Sequence, residues 1–72
     1  MKTLYYIDKF KKEERLCSFE EDFRDTKILS YIKEKAESRG LEVYYIQFHQ
    51  TSSGSVVYDF GSHSEFFILK KV

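Results

Sequence analysis

The 72-residue sequence has no proline, no tryptophan, a single cysteine, three glycines and no net charge. The single cysteine, Cys17, excludes an internal disulfide and fits a reducing compartment, so we expect a cytoplasmic protein. The first residues carry too short an apolar run for a signal peptide, and no run approaches the roughly 18 apolar residues of a membrane span. No membrane partner is therefore expected.

The scarcity of glycine and proline leaves no linker, repeat or low-complexity tract that would divide the chain. We therefore predict a single domain over residues 1–72. Such a short chain buries only about 60% of its unfolded surface. Small folds of this kind usually need a disulfide, a metal or self-association for stability.

Charge and aromatic content limit the classes of function. Twelve basic and twelve acidic residues cancel, which disfavours a protein that mainly grips nucleic-acid backbone. The seven phenylalanines and six tyrosines are the outlier of the composition. They either fill a small core with large side chains or form a partly exposed surface for a partner.

The stretch at residues 41–49 (LEVYYIQFH) is rich in β-branched and aromatic residues and follows Gly40, a helix stop signal. We predict it to be the central strand of a small sheet. Its apolar residues alternate between two faces, with Leu41, Val43 and Tyr45 on one and Tyr44, Ile46 and Phe48 on the other.

Further strands are predicted at residues 3–10, 56–60 and 65–71, from short runs rich in β-forming residues. The lysines of the last strand are expected to protect an exposed sheet edge. Residues 15–19 form either one more strand or an irregular approach to the helix.

Two helix starts compete before the apolar stripe. Ser18 opens a capping-box pattern, and Asp25 is an N-cap candidate directly before the stripe. Phe19 and Phe23 project more than a quarter turn away from the stripe, at about 100° per residue. We therefore expect a break before a main helix over about 25–39, and the alternative is a continuous helix from Phe19. The stripe consists of Ile28, Leu29, Ile32 and Ala36.

These elements together predict an α+β fold. It has a small antiparallel sheet of four strands, or five if residues 15–19 form one, with one α-helix packed on one face, in the order β(β)αβββ. A single helix covers only one face of a sheet. The open face, which the helix does not cover, is predicted to be a surface for a partner.

The sequence contains no constellation with the spacing of a catalytic or metal site. Cys17, His49 and His63 lack the close spacing of zinc ligands. The tripeptides at 59–61 and 63–65 lack the companion motifs of kinases and deaminases. We therefore expect no enzyme activity, no catalytic residue, no metal and no cofactor.

The sequence predicts a small protein-binding module, and more specifically a phage or mobile-element inhibitor or adaptor that occludes a host protein. If Tyr44, Ile46 and Phe48 face the helix, Tyr5 and Ile7 are expected to point inward on the first strand. Tyr6 and the opposite side of residues 41–49 then lie on the open face. The predicted partner-binding residues are Tyr6, Val43, Tyr45, Gln47 and His49, together with the acidic Glu20, Glu21 and Asp22, which would mimic nucleic acid.

Two alternatives stay open. Single-stranded nucleic acid would stack on exposed aromatic rings, although zero net charge disfavours it. A homodimer would bury the second face of the sheet and supply the stability that a small core lacks. The lysines expected to contact phosphates are Lys9, Lys11, Lys12, Lys70 and Lys71.

Overall fold

The computed structural model describes residues 1–20, 22, 24–62 and 64–71. Within these ranges the chain forms five strands and one helix, which confirms the α+β class and the order β(β)αβββ, with the optional strand present. The elements are β1 (Lys2–Ile7), β2 (Glu13–Phe19), α1 (Asp25–Ser38), β3 (Gln47–Gln50), β4 (Val56–Asp59) and β5 (Phe66–Lys71).

The strands form one antiparallel sheet in the order β2-β1-β5-β4-β3. The last strand, β5, is therefore central. The prediction that its lysines protect a sheet edge is wrong. The prediction of a central strand over residues 41–49 is wrong. The strand there spans only Gln47–Gln50, because residues 41–46 connect the end of the helix to the sheet. This short strand lies at an edge of the sheet.

The register between strands defines which side chains share a face. Leu4 lies opposite Leu69, and both Tyr6 and Tyr58 lie opposite Phe67. These residues form the helix-side face, because Leu4, Leu69, Phe67 and Tyr58 belong to one core cluster with the helical stripe. The stripe residues buried in this cluster are Ile28, Ile32 and Ala36.

The orientation predicted for the first strand is the reverse of the one observed. Leu4 is buried under α1, whereas Tyr5 and Ile7 alternate onto the other face, where Ile7 is also buried but lies outside the core cluster. Every position from Leu4 to Ile7 is apolar, so the sequence of this run does not indicate which side chains face the helix. The pairing with β5 determines which side chains face the helix.

The helix begins at Asp25, as predicted, and the continuous helix from Phe19 is wrong. Phe19 ends β2, and its ring packs edge-on against Tyr31 with 5.6 Å between centroids. Ser18 is not a helix cap, since it lies in β2 and shares a 3.1 Å hydrogen bond with the Thr3 hydroxyl. The N-cap position falls on Arg24, and Phe23 lies outside the described residues.

The end of the helix is the predicted glycine cap. Gly40 has a φ of 76°, and its N–H donates to the Glu37 carbonyl at 3.0 Å. The Leu41 N–H donates to the Ala36 carbonyl, also at 3.0 Å. This pair of bonds is the Schellman pattern, and it fixes the direction in which residues 41–46 leave the helix.

Candidate functional site

The segment that leads into β3 buries some of its side chains and exposes others. Leu41, Val43 and Ile46 are half-buried and pack against the core. Three aromatic side chains point away from it, with exposed fractions of 71% for Tyr44, 49% for Tyr45 and 62% for Phe48. We call these three residues the aromatic edge. Among the large hydrophobic side chains that the described chain exposes, these three lie within five residues of each other, and aromatic side chains are enriched in protein interfaces.

The aromatic edge is held by contacts with the rest of the sheet. The Tyr44 N–H donates to the Phe60 carbonyl at 3.4 Å. The Phe48 ring lies 6.1 Å from that of Tyr58, which is buried in the core. A Cβ at Gly61 would lie 3.0 Å from Cδ2 of Tyr44, so this turn approaches the Tyr44 ring closely because it has no side chain.

A carboxylate also orients Tyr44. The Tyr44 hydroxyl donates a hydrogen bond to Glu42. This bond, together with the negative charge of Glu42, raises the pKa of Tyr44 above its ordinary value. The carboxylate therefore favours the neutral form of the phenol.

Strand β3 is an edge with an unpaired side. Among the described strands it pairs only with β4, and all four of its residues are exposed. Its sequence, QFHQ, contains no lysine, acidic residue, proline or glycine. An edge strand presents backbone N–H and C=O groups to any other strand that approaches.

The opposite edge of the sheet is protected. Strand β2 begins with Glu13, Glu14 and Arg15, which are exposed, and its register with β1 shifts between Leu4 and Tyr5. Charges and bulges of this kind discourage pairing with another chain. The two edges therefore differ, and of the two edge strands that the structure describes, β3 is the one that combines a regular uncharged sequence with exposed aromatic rings.

The predicted binding residues do not form one surface. Gln47 and His49 are exposed on the open face, opposite Asp59 and Val57 of β4, and Tyr45 is exposed just before them. The placement of Val43 on the open face is wrong, because it is half-buried against the core.

Tyr6 was also expected on the open face, and that placement is wrong. It lies on the helix-side face, where its ring is 5.3 Å from that of Phe67 and 5.2 Å from the Arg39 guanidinium carbon. Burial is the main cause that raises the pKa of Tyr6. Arg39 also forms an ion pair with Glu14, so this side of the sheet is occupied by the end of the helix.

The predicted acidic residues lie outside β3 and the segment before it. Glu20 and Asp22 are exposed in the connection between β2 and α1, and Glu21 lies outside the described residues. The aromatic edge belongs to the connection that follows α1 and to β3.

Lysine side chains already cover two rings of the open face. The Lys70 ammonium lies 4.8 Å from the centroid of Tyr5, and that of Lys11 lies 5.7 Å from the centroid of Phe66. Lys70 also forms a 2.9 Å ion pair with Glu13. Bases that stack on this face would have to displace these contacts, which weakens the nucleic-acid alternative.

Sequence reasoning missed two of the three aromatic-edge residues. Tyr44 and Phe48 were expected to face the helix, and Phe48 does lie on the helix-side face, opposite Tyr58. It is exposed nonetheless, since the core cluster under the helix extends from Phe19 of β2 to Tyr58 of β4 and does not include Phe48. The absence of charge in QFHQ was the available signal of an unprotected edge.

Within the part of the chain that the structure describes, no group of three or more His, Cys, Asp or Glu side chains is placed to hold a metal ion. His63 lies outside that part. No helix there is long and apolar enough to cross a membrane. No family model, no curated protein and no solved structure matches the chain, so its function is inferred from geometry.

Proposed function

We propose that the chain is a small protein-binding module that pairs β3 with an extended segment of its partner. The observation that carries this proposal is the difference between the two sheet edges. Strand β2 is charged and bulged, whereas β3 is regular, uncharged and bordered by exposed aromatic rings. Strand addition to an exposed edge is a common mode of peptide recognition.

The geometry defines what the partner segment offers. Main-chain hydrogen bonds along Gln47–Gln50 supply affinity that depends little on sequence. Apolar side chains on the helix-side face of the added strand would contact Phe48, while polar ones would meet Gln47 and His49 on the open face. The expected partner segment is therefore short, extended and amphipathic, with alternating apolar residues.

Cys17 is a free thiol, which supports a cytoplasmic location. The module would act by occluding a surface of its partner. An inhibitor or adaptor of the kind encoded by phages and mobile elements is the form we favour.

Affinity capture followed by mutation tests the proposal. A tagged chain is expected to recover a stoichiometric partner, and a triple variant with serine at Tyr44, Tyr45 and Phe48 is expected to lose that partner. Phe10→Ser is the matched control, because Phe10 is 71% exposed and lies in the β1–β2 turn, three strands away from β3. Equal recovery by the triple variant and the wild type would contradict the proposal.

Hydrogen exchange then distinguishes strand addition from other contacts. Partner binding is expected to slow exchange of backbone amides within Gln47–Gln50, and to leave the exchange of β2 amides unchanged. Protection confined to the connection between β2 and α1 would favour the acidic residues Glu20 and Asp22 as the contact instead.

A second copy of the chain is the alternative occupant of the same edge. Two β3 strands related by a two-fold axis would pair antiparallel and join two sheets into one. Sedimentation equilibrium decides between the two, since a monomer has a mass of 8.7 kDa. A mass of twice this value that returns to the monomer in the triple variant would establish the homodimer.

A further inference from the structure

A concave surface lies on the helix-side face, between α1 and the β3–β4 hairpin. It is a cleft of about 410 Å³, within the range of about 300–1,000 Å³ typical of small-molecule sites. Leu29 lines it from the helix, and Val56, Tyr58 and Leu69 line it from the sheet. Phe48 of the aromatic edge lines it from β3. These five residues form the apolar half of the lining, and the rest of it is Lys2, His49, Gln50, Gly54 and Lys71.

Two lysines line the same cleft. Lys2 of β1 and Lys71 of β5 are directly opposite each other in the register, so their side chains leave the same face of the sheet. Like charges in directly opposite positions repel. Neither lysine forms an ion pair with a described residue, in contrast to the neighbouring Lys70, which pairs with Glu13.

We propose that this cleft binds a small amphipathic carboxylate, such as a medium-chain acyl acid. The carboxylate would lie between Lys2 and Lys71, where it relieves their repulsion and accepts charge-assisted hydrogen bonds. The apolar chain would lie along Leu29, Val56 and Leu69, which line the cleft. A neutral apolar molecule uses only the second set of contacts, and a short anion uses only the first.

The inference goes beyond the proposed function and does not depend on it. The cleft shares Phe48, His49 and Gln50 with β3, but Tyr44 and Tyr45 do not line it. Loss of partner capture and loss of carboxylate binding are therefore separable, because the lysine substitutions leave the backbone of β3 and the other two rings in place.

Amide chemical-shift titrations of the ¹⁵N-labelled protein test the inference. Octanoate is expected to shift the amides of Leu29, Val56 and Leu69 with saturation. Octanamide, of nearly the same size but neutral, is expected to bind about tenfold more weakly, because hydrogen bonds to a charged group contribute more than neutral ones. Acetate is expected to produce no saturable shift at these residues.

Paired variants test the role of the lysines. The double variant K2Q/K71Q is expected to lose about tenfold in octanoate affinity and to keep its affinity for octanamide. The control K9Q/K12Q has the same change in net charge, but its substitutions lie in the β1–β2 turn, and it is expected to bind octanoate as the wild type does.

Three results would overturn the inference. The first is equal affinity of the wild type for octanoate and octanamide, and the second is an equal loss of octanoate affinity in the two double variants. The third is tighter binding at the same residues by a peptide that ends in an apolar residue with a free carboxylate. That result would assign the cleft to protein C-termini.

Discussion

Leu4 and Ile68 are expected to differ sharply in what they contribute to stability, although they lie on adjacent strands of the sheet. Leu4 is 0% exposed and belongs to the core cluster under α1. Ile68 lies opposite Tyr5, on the face that the helix does not cover, and it is half-buried. Truncating each residue to alanine therefore tests which face of the sheet the helix covers.

The expected costs follow from burial. Replacing a buried leucine with alanine costs about 2–5 kcal/mol, from the lost transfer free energy and the cavity left behind. Leu4 is enclosed by the helix and by Leu69, directly opposite it, so we expect about 3 kcal/mol. Ile68 keeps part of its surface in water in the folded state, and we expect about 1 kcal/mol for its truncation.

Urea unfolding followed by far-UV circular dichroism measures both costs. At 0.05–0.15 kcal/mol per residue, a chain of this length has a total stability of roughly 4–11 kcal/mol. With a urea slope of about 1 kcal/mol per molar, Leu4→Ala should lower the midpoint by about 3 M and Ile68→Ala by about 1 M. A smaller loss for Leu4→Ala than for Ile68→Ala would refute the assignment of faces and place the helix on the side of Tyr5.

Both Gly40 and Gly61 have positive φ, but only at Gly61 would a new Cβ lie 3.0 Å from Tyr44, so Gly61→Ala should cost more than the roughly 1–2 kcal/mol expected of Gly40→Ala. Equal losses in urea unfolding would contradict this. Lys11 has a φ of 67°, so Lys11→Gly should raise the free energy of unfolding by about 0.5–1 kcal/mol, and no gain would show that the turn is unstrained. Burial, followed by a hydrogen bond with Cys17, raises the pKa of Tyr31 from 10.0 to about 12. The unfolded chain therefore releases this proton first, stability should fall between about pH 10 and pH 12, and Tyr31→Phe should reduce that fall in urea titrations; an unchanged fall would contradict the cause.

The helix could be predicted from the sequence because its signals are local. The apolar stripe, the break before Asp25 and the cap at Gly40 each involve residues within one or two turns of each other. The face of β1 could not be predicted. An apolar side chain at every position from Leu4 to Ile7 fits either face, and only pairing with β5, more than fifty residues later, selects one.

The candidate site was predicted in part for the same reason. Tyr45, Gln47 and His49 were expected on the open face of a central strand, and they are exposed, although the strand is short and lies at an edge. Tyr44 is exposed in the connection before β3, and Phe48 is exposed because the core cluster under the helix ends at β4. Which strands the helix covers depends on strand order, and hydrophobic periodicity does not predict strand order.

Strand order also explains why the uncharged β3 is informative. When β5 inserts between β1 and β4, the edges of the sheet fall to β2 and β3. A chain in which one third of the residues are charged has ample means to protect both edges, and β2 has three charged residues and a bulge. Strand β3 has neither, although exposed edges favour unwanted pairing. An unprotected edge beside three exposed aromatic rings is the arrangement expected where pairing with another strand is the function.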